Sequence, residues 1–74
     1  MTNRYYSAEK LTVDDFGVPF TMAEGEVVYD AKTTHGPWGT MTETSYQLYG
    51  IGLGTGLGQK YRRQANGEFH KVEG

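Results

Sequence analysis

The 74-residue sequence contains no cysteine, so neither a disulfide bond nor a cysteine-ligated zinc ion can stabilise its fold. It also has few aliphatic residues, and Leu, Ile, Val and Phe together number only 13. No run of residues approaches the roughly 20 apolar positions of a membrane-spanning helix. No signal-peptide pattern opens the chain. We therefore expect a soluble intracellular protein that has no membrane partner.

The composition nevertheless predicts a folded chain. A low aliphatic content indicates disorder when the net charge is high, but the net charge here is only −2. Six Tyr and one Trp supply large apolar side chains for a small aromatic core. A chain of this length suits one small domain. We predict a monomer with a flexible N-terminal arm over residues 1–9 and a single domain over residues 10–74.

Glycine recurs at every second position near the middle of the chain. An extended segment with this pattern would have one bare face, on which an aromatic ring can pack closely. We predict an irregular, packed structural loop, with Trp38 lying across it as a core anchor. The glycines assigned to this structural role are Gly50, Gly52, Gly54, Gly56 and Gly58. Neither a phosphate-binding loop nor a dinucleotide-binding fingerprint matches the spacing, so nucleotide binding through these motifs is rejected.

The first half of the chain predicts short strands. Residues 10–13 and 18–22 are candidate extended segments, and Pro19 limits the second to an edge or to a strand start. Residues 26–31 are a stronger strand candidate because they contain three strong strand formers in succession. A four-residue turn over residues 23–26 would join the last two segments as a hairpin.

The second half predicts a short strand over residues 38–41, one helix and a hairpin. Thr42 is a suitable N-cap for a helix over residues 43–49, and Gly50 is placed to be its C′ residue. Near the C-terminus, strands over residues 59–64 and 68–72 flank an Asn-Gly pair.

The Asn-Gly pair, Asn66-Gly67, favours a type I′ turn. That turn would place Tyr61 opposite Val72, whereas a bulged three-residue loop would shift the register by one. The predicted fold class is mainly β, a small α+β domain with one short helix.

The segment from Thr33 to Tyr61 resembles small bacteriophage-encoded proteins with a zinc-ribbon-like domain. Their pattern runs His-Gly-Pro-Trp, then Met-Cys-x-x-Cys and an aromatic residue, and it ends in glycines at alternate positions before Gly-Gln-x-Tyr. The matching residues are His35, Gly36, Pro37, Trp38, Met41, Tyr46, Tyr49, Gly50, Gly52, Leu53, Gly54, Gly56, Gly58, Gln59 and Tyr61. The resemblance implies zinc-ribbon-like β hairpins.

The chain departs from this family at its metal ligands. The two cysteines of the family motif fall on Thr42 and Ser45, and the N-terminal cysteine pair has no counterpart. Structural zinc sites are four-coordinate and use thiolate or imidazole ligands. The resemblance therefore implies a ribbon scaffold that has lost its metal, and we predict no metal and no other cofactor.

The sequence does not predict an enzyme. It supplies no cysteine nucleophile, and His35 and His70 occur in unrelated contexts that favour surface or turn positions. The adjacent Asp14 and Asp15 are most simply a turn. No nucleophile, base and orienting group are found together.

Charge is unevenly distributed along the chain. Residues 1–30 carry a net charge of −4, and residues 59–74 carry +2. Lys60, Arg62 and Arg63 with an intervening tyrosine resemble the basic and aromatic mixture of some single-strand binders. The domain is acidic overall, however, so a nucleic-acid-binding module is only the alternative prediction.

The favoured prediction is a phage protein that binds a host enzyme in the cytoplasm of the infected bacterium. The resemblance implies phage origin, and zinc-ribbon-like modules often dock on RNA polymerase, so we expect inhibition or antitermination of transcription. Inhibition of a host defence nuclease, as by anti-CRISPR proteins, is a further alternative. The predicted partner-binding residues form an N-terminal surface and a basic strand: Tyr5, Tyr6, Asp14 and Asp15, and Lys60, Arg62 and Arg63.

Overall fold

The computed structural model describes residues 5–6 and 12–74. Their backbone forms a five-stranded antiparallel sheet with the strand order β1-β5-β4-β2-β3 and one short helix. The elements are β1 (Tyr5–Tyr6), β2 (Val27–Lys32), β3 (Trp38–Met41), α1 (Glu43–Tyr49), β4 (Gly58–Arg63) and β5 (Phe69–Glu73). The predicted mainly β class with one short helix is confirmed.

The interior strand β2 separates two small cores because its successive side chains point to opposite faces of the sheet. On one face Val28 packs with Phe20 and with the β4 and β5 aromatics Tyr61 and Phe69. On the other face a second cluster contains the buried residues Tyr29, Ala31 and Met41, against which Tyr46 and Tyr49 of α1 pack. The helix therefore covers only one face, over β2 and β3.

Helix α1 begins as the sequence predicts. The Thr42 hydroxyl accepts a hydrogen bond from the Ser45 backbone N–H at 3.2 Å, which is the N-cap interaction. Gly50 follows the helix as its C-cap, with an ordinary φ of −75° instead of the left-handed conformation of a C′ glycine. Glycine is required there for space, because a Cβ atom would overlap the ring of Tyr46. That ring stacks on Tyr29 with a centroid separation of 3.9 Å.

The predicted hairpin between residues 18–22 and 26–31 is wrong. The backbone N–H groups of Thr21 and Met22 donate to the Glu26 carboxylate at 2.6 and 2.9 Å, so a side chain takes donors that a strand ladder would use. Val13 and Pro19 form only an isolated bridge. Strand β2 pairs instead with β3 and β4. Residues 10 and 11 of the first predicted strand lie outside the described residues.

The segment containing Asp15 covers part of the free edge of β3. The backbone N–H of Asp15 donates to the Thr40 carbonyl at 3.0 Å, and the Asp15 carboxylate accepts from the Thr40 N–H at 2.8 Å. Thr40 thereby has hydrogen-bonding partners on the side of β3 that faces away from β2.

The C-terminal hairpin is present, with the shifted register of the bulged alternative. Arg63 lies opposite Phe69 and Tyr61 opposite Lys71, not opposite Val72. Gly67 alone within the turn adopts a positive φ, +92°, and its N–H donates to the Gln64 carbonyl at 3.0 Å. A type I′ turn would need positive φ at Asn66 as well, so the three-residue loop is formed instead.

The glycine-rich segment is irregular, as predicted, and closes in a tight turn from Gly54 to Gly58. Gly58 passes so close to Ala31 that an added Cβ would lie 2.8 Å from the Ala31 Cα. The prediction that Trp38 packs across this segment as a core anchor is wrong, because Trp38 is 46% exposed. Met41 of β3 points into the helix-side core, and the strand alternation turns Trp38 to the opposite face.

Candidate interaction surface

The predicted N-terminal surface is divided between opposite edges of the sheet. Tyr5 and Tyr6 form β1, whose backbone pairs with β5 at one edge. Asp14 and Asp15 lie beside β3 at the other edge. Four strand spacings of about 4.8 Å separate β1 from β3, roughly 19 Å in all. These four residues do not form one surface. The rest of the predicted arm over residues 1–9 lies outside the described residues.

Asp14 is a structural residue and not a partner contact, because only 4% of it is exposed. One carboxylate oxygen accepts from the backbone N–H groups of Phe16 and Val18, each at 2.9 Å. The other accepts from both the N–H and the hydroxyl of Thr42, also at 2.9 Å. Burial alone would raise the pKa of Asp14, but hydrogen bonds from Ser45 and these groups hold it below its usual value.

Thr42 and Ser45 are the positions at which the predicted resemblance to phage zinc-ribbon-like proteins would place cysteines. Both are buried, and their hydroxyl oxygens are 3.4 Å apart. The Thr42 hydroxyl donates to the Asp14 carboxylate and lies within hydrogen-bonding distance of the Ser45 hydroxyl, so the two positions belong to one hydrogen-bonded network. Two hydroxyls and a carboxylate do not fit the zinc ligand set. Within residues 12–74 no three His, Asp or Glu side chains gather in a metal-binding arrangement.

The predicted basic strand is split between the two faces of the sheet. Arg63 is 4% exposed, pairs with Glu26 at 3.4 Å and lies 4.4 Å over the Phe69 ring. Its guanidinium therefore stabilises the core and is not available to a partner. Lys60 and Arg62 point to the helix side, where the Lys60 ammonium lies 5.6 Å over the Tyr29 ring. Only Arg62 of the three is exposed, and its guanidinium donates to the Gly25 carbonyl at 3.0 Å.

A pocket of about 220 Å³ lies between the start of α1 and the chain before β2. It contains the two carboxylates Glu26 and Glu43. Glu26 is already bonded to backbone N–H groups and to Arg63. Glu43 accepts from the Tyr29 hydroxyl and from the Gln47 amide, each at 2.6 Å. Because both carboxylates have intramolecular partners, neither is a free charge for a ligand in this pocket.

One accessible surface was not predicted from the sequence. It is the part of the sheet face around Trp38, on β3, β2 and β4. Strand register places five side chains next to one another on this face, opposite the helix. We call this surface the Trp38 face, and it consists of Trp38 and Thr40 of β3, Asp30 and Lys32 of β2 and Gln59 of β4. Phe20 covers the neighbouring Val28 and Tyr61 and leaves Trp38 exposed.

The charges on the Trp38 face have few partners within the described part of the chain. Asp30 is half-buried, and no described residue donates a hydrogen bond to its carboxylate or forms an ion pair with it. Burial raises the pKa of Asp30, and the negative charge of Asp15 adds to the effect. Lys32 lies directly opposite Trp38 and forms no ion pair with a described residue.

The alternation of residues 38–41 could have revealed the Trp38 face. Met41 is the aliphatic residue of this strand, and if it enters the core then Trp38, three positions away, points outward. Trp38 was instead predicted to be a core anchor because the bare face of the glycine-rich segment would allow an aromatic ring to pack on it.

No helix among the described residues is both long and apolar enough to cross a membrane. Comparison of the chain with protein-family models gives no match, and comparisons with curated proteins and with solved structures give none either.

Proposed function

We propose that this protein acts by binding another protein through the Trp38 face and that it does not itself catalyse a reaction. The observation that carries the proposal is the exposure of Trp38 on an open part of the sheet. Tryptophan is enriched among the residues that dominate interface energetics, and such anchors are surrounded by polar groups that exclude water. Asp30, Lys32, Thr40 and Gln59 supply that polar surround.

The proposed target is host RNA polymerase, and the proposed result is inhibition or antitermination of transcription in the cytoplasm of an infected bacterium. Support for this target comes from the resemblance of residues 33–61 to small phage proteins with zinc-ribbon-like domains, since such modules often dock on polymerases. A binding domain of this kind acts by occupying or altering the polymerase surface.

The test is direct binding of the purified protein to bacterial RNA polymerase, with in-vitro transcription as the functional readout. Trp38→Ala should weaken binding by at least tenfold, since losses above about 2 kcal/mol are typical of interface anchors. Leu48→Ala is the matched control, because Leu48 is 66% exposed and lies on the helix, on the opposite face. It should leave binding unchanged.

Four results would count against the proposal. Absence of binding at micromolar concentration in low salt would remove polymerase as the target. Binding that survives Trp38→Ala but is lost on charge reversal of Lys60 and Arg62 would place the contact on the helix side. Tight binding to bare nucleic acid in the same assay would favour the nucleic-acid-binding alternative, and binding to a defence nuclease instead of polymerase would favour an anti-CRISPR-like role.

A further inference from the structure

The Trp38 face combines an exposed indole with the Asp30 carboxylate, which has no hydrogen-bond donor or ion-pair partner among residues 12–74. Asp30 lies opposite Thr40 in the β2–β3 register, so Trp38, two residues before Thr40, is its diagonal neighbour on the same face. Diagonal neighbours of this kind are about 7–8 Å apart, and long side chains can bridge them. A group placed over the face can therefore touch both the indole and the carboxylate.

The half-buried position of Asp30 favours a cation from outside. A carboxylate that loses water on burial is destabilised unless it gains hydrogen bonds or an opposite charge. Within residues 12–74 Asp30 has neither, and Asp15 adds a second negative charge nearby. Lys32 is on the same strand but forms no ion pair with Asp30. Asp15, Asp30 and Lys32 together leave this region with an excess of negative charge.

We propose that the Trp38 face binds an arginine side chain of the partner protein, with the guanidinium packed on the Trp38 indole and paired with the Asp30 carboxylate. Arginine fits this pair of groups better than lysine does, because its planar guanidinium stacks on aromatic rings and binds a carboxylate through two N–H groups. The inference rests on the proposed function, since it names the partner group that the proposed contact surface receives.

The inference can be tested without polymerase, because Trp38 is the only tryptophan of the chain and its fluorescence reports directly on the site. The full-length protein is titrated with acetyl-Leu-Arg-Leu-amide and with the uncharged control acetyl-Leu-Gln-Leu-amide. The arginine peptide should give a saturable fluorescence change with an apparent affinity at least about tenfold higher than the glutamine peptide, as expected for a charge-assisted pair.

Two variants with opposite expected effects on peptide affinity test whether the Trp38 face prefers a positively charged ligand. Asp30→Asn should abolish the preference for the arginine peptide, and Lys32→Gln should increase the affinity for that peptide by removing a repelling cation. Asp30→Asn removes a charge that opposes folding, so the variant should fold. Leu48→Ala should leave both titrations unchanged.

The proposal is overturned if the two peptides bind equally, if neither gives a saturable change, or if Asp30→Asn retains the arginine preference. It is also overturned if the wild-type protein self-associates in light scattering and Asp30→Asn abolishes the association, which would assign the face to a second copy of the chain. Failure of polymerase binding does not alter the peptide result, so the two proposals fail separately.

Discussion

The Asp14 carboxylate bonds to Thr42 twice, through the backbone N–H and through the side-chain hydroxyl, each at 2.9 Å. The two residues are 28 positions apart in the sequence. Thr42 is also the N-cap of α1, so one buried carboxylate fixes the loop before β2, the end of β3 and the start of the helix relative to one another.

Substitution of Asp14 should therefore be strongly destabilising. In the wild type, four donors share the two Asp14 carboxylate oxygens. Asp14→Asn replaces one of these oxygens with an amide N–H₂ group, which leaves a buried donor without an acceptor. We expect the free energy of unfolding to fall by roughly 2–3 kcal/mol, measured by urea denaturation followed by circular dichroism. Asp15→Asn is the control, because Asp15 is exposed, and it should cost much less. Equal losses in the two variants would contradict the assigned role.

Stability should fall in acid. The pKa of Asp14 is lowered by its hydrogen bonds, which outweigh burial, and the pKa of Glu43 is lowered by hydrogen bonds from Tyr29 and Gln47. A carboxyl with a lower pKa in the folded state stabilises the fold above its unfolded pKa, and this contribution is lost as pH falls through the folded pKa. We expect the melting temperature to drop below about pH 4 and this drop to be reduced in Asp14→Asn.

The contribution of Asp30 to stability should depend on pH in the opposite direction from that of Asp14. Burial raises its pKa, so its contribution to stability is present at low pH and is lost as pH rises through the folded pKa. Asp30→Asn should therefore raise the melting temperature at pH 7, and the difference from wild type should disappear near pH 3, where wild-type Asp30 is protonated. A lower melting temperature at pH 7 would show that Asp30 has a stabilising partner.

Trp38→Ala should cost little stability for so large a truncation. Trp38 is 46% exposed, whereas Phe69 is fully buried at the centre of one core. We expect a loss near 1 kcal/mol for Trp38→Ala, as for a typical point mutant, and roughly 3–5 kcal/mol for Phe69→Ala. Chemical denaturation of both variants under the same conditions tests this. Similar losses of stability would show that Trp38 is a core residue.

Gly50→Ala should disturb the aromatic stack beneath the helix. The added methyl group overlaps the ring of Tyr46, which must move away from Tyr29. We expect a loss of roughly 1–3 kcal/mol, as for an overpacked core, and a change in near-ultraviolet circular dichroism. Gly39→Ala is the matched control, since its Cβ would meet its nearest neighbour at 3.4 Å, an ordinary contact distance.

Local signals predicted the local structure well. The Thr42 N-cap and the helix over residues 43–49 were predicted from sequence, as were the strand over residues 38–41 and the position of the last turn. Each depends on residues within a few positions of one another. The favoured type I′ turn was wrong and the alternative bulged loop is present, because Gly67 alone satisfies the left-handed requirement and Asn66 does not need to do so.

Long-range structure was predicted poorly because its causes are distant in the sequence. Nothing local indicates that Asp14 bonds to Thr42, that the Glu26 carboxylate occupies two strand donors, or that β2 pairs with β4. The exposure of Trp38 follows from which face of β3 the helix covers, and that depends on the packing of the whole sheet. The relation to phage zinc-ribbon-like proteins remains a prediction.

The contact between Asp15 and Thr40 has a consequence for solubility. An uncovered edge strand can pair with the edge of another molecule and lead to aggregation. Asp15 occupies both outward backbone groups of Thr40, at 3.0 and 2.8 Å, with a charged residue that a second chain would have to displace. The loop before β2 therefore hinders the addition of a strand from another molecule to the β3 edge of the sheet.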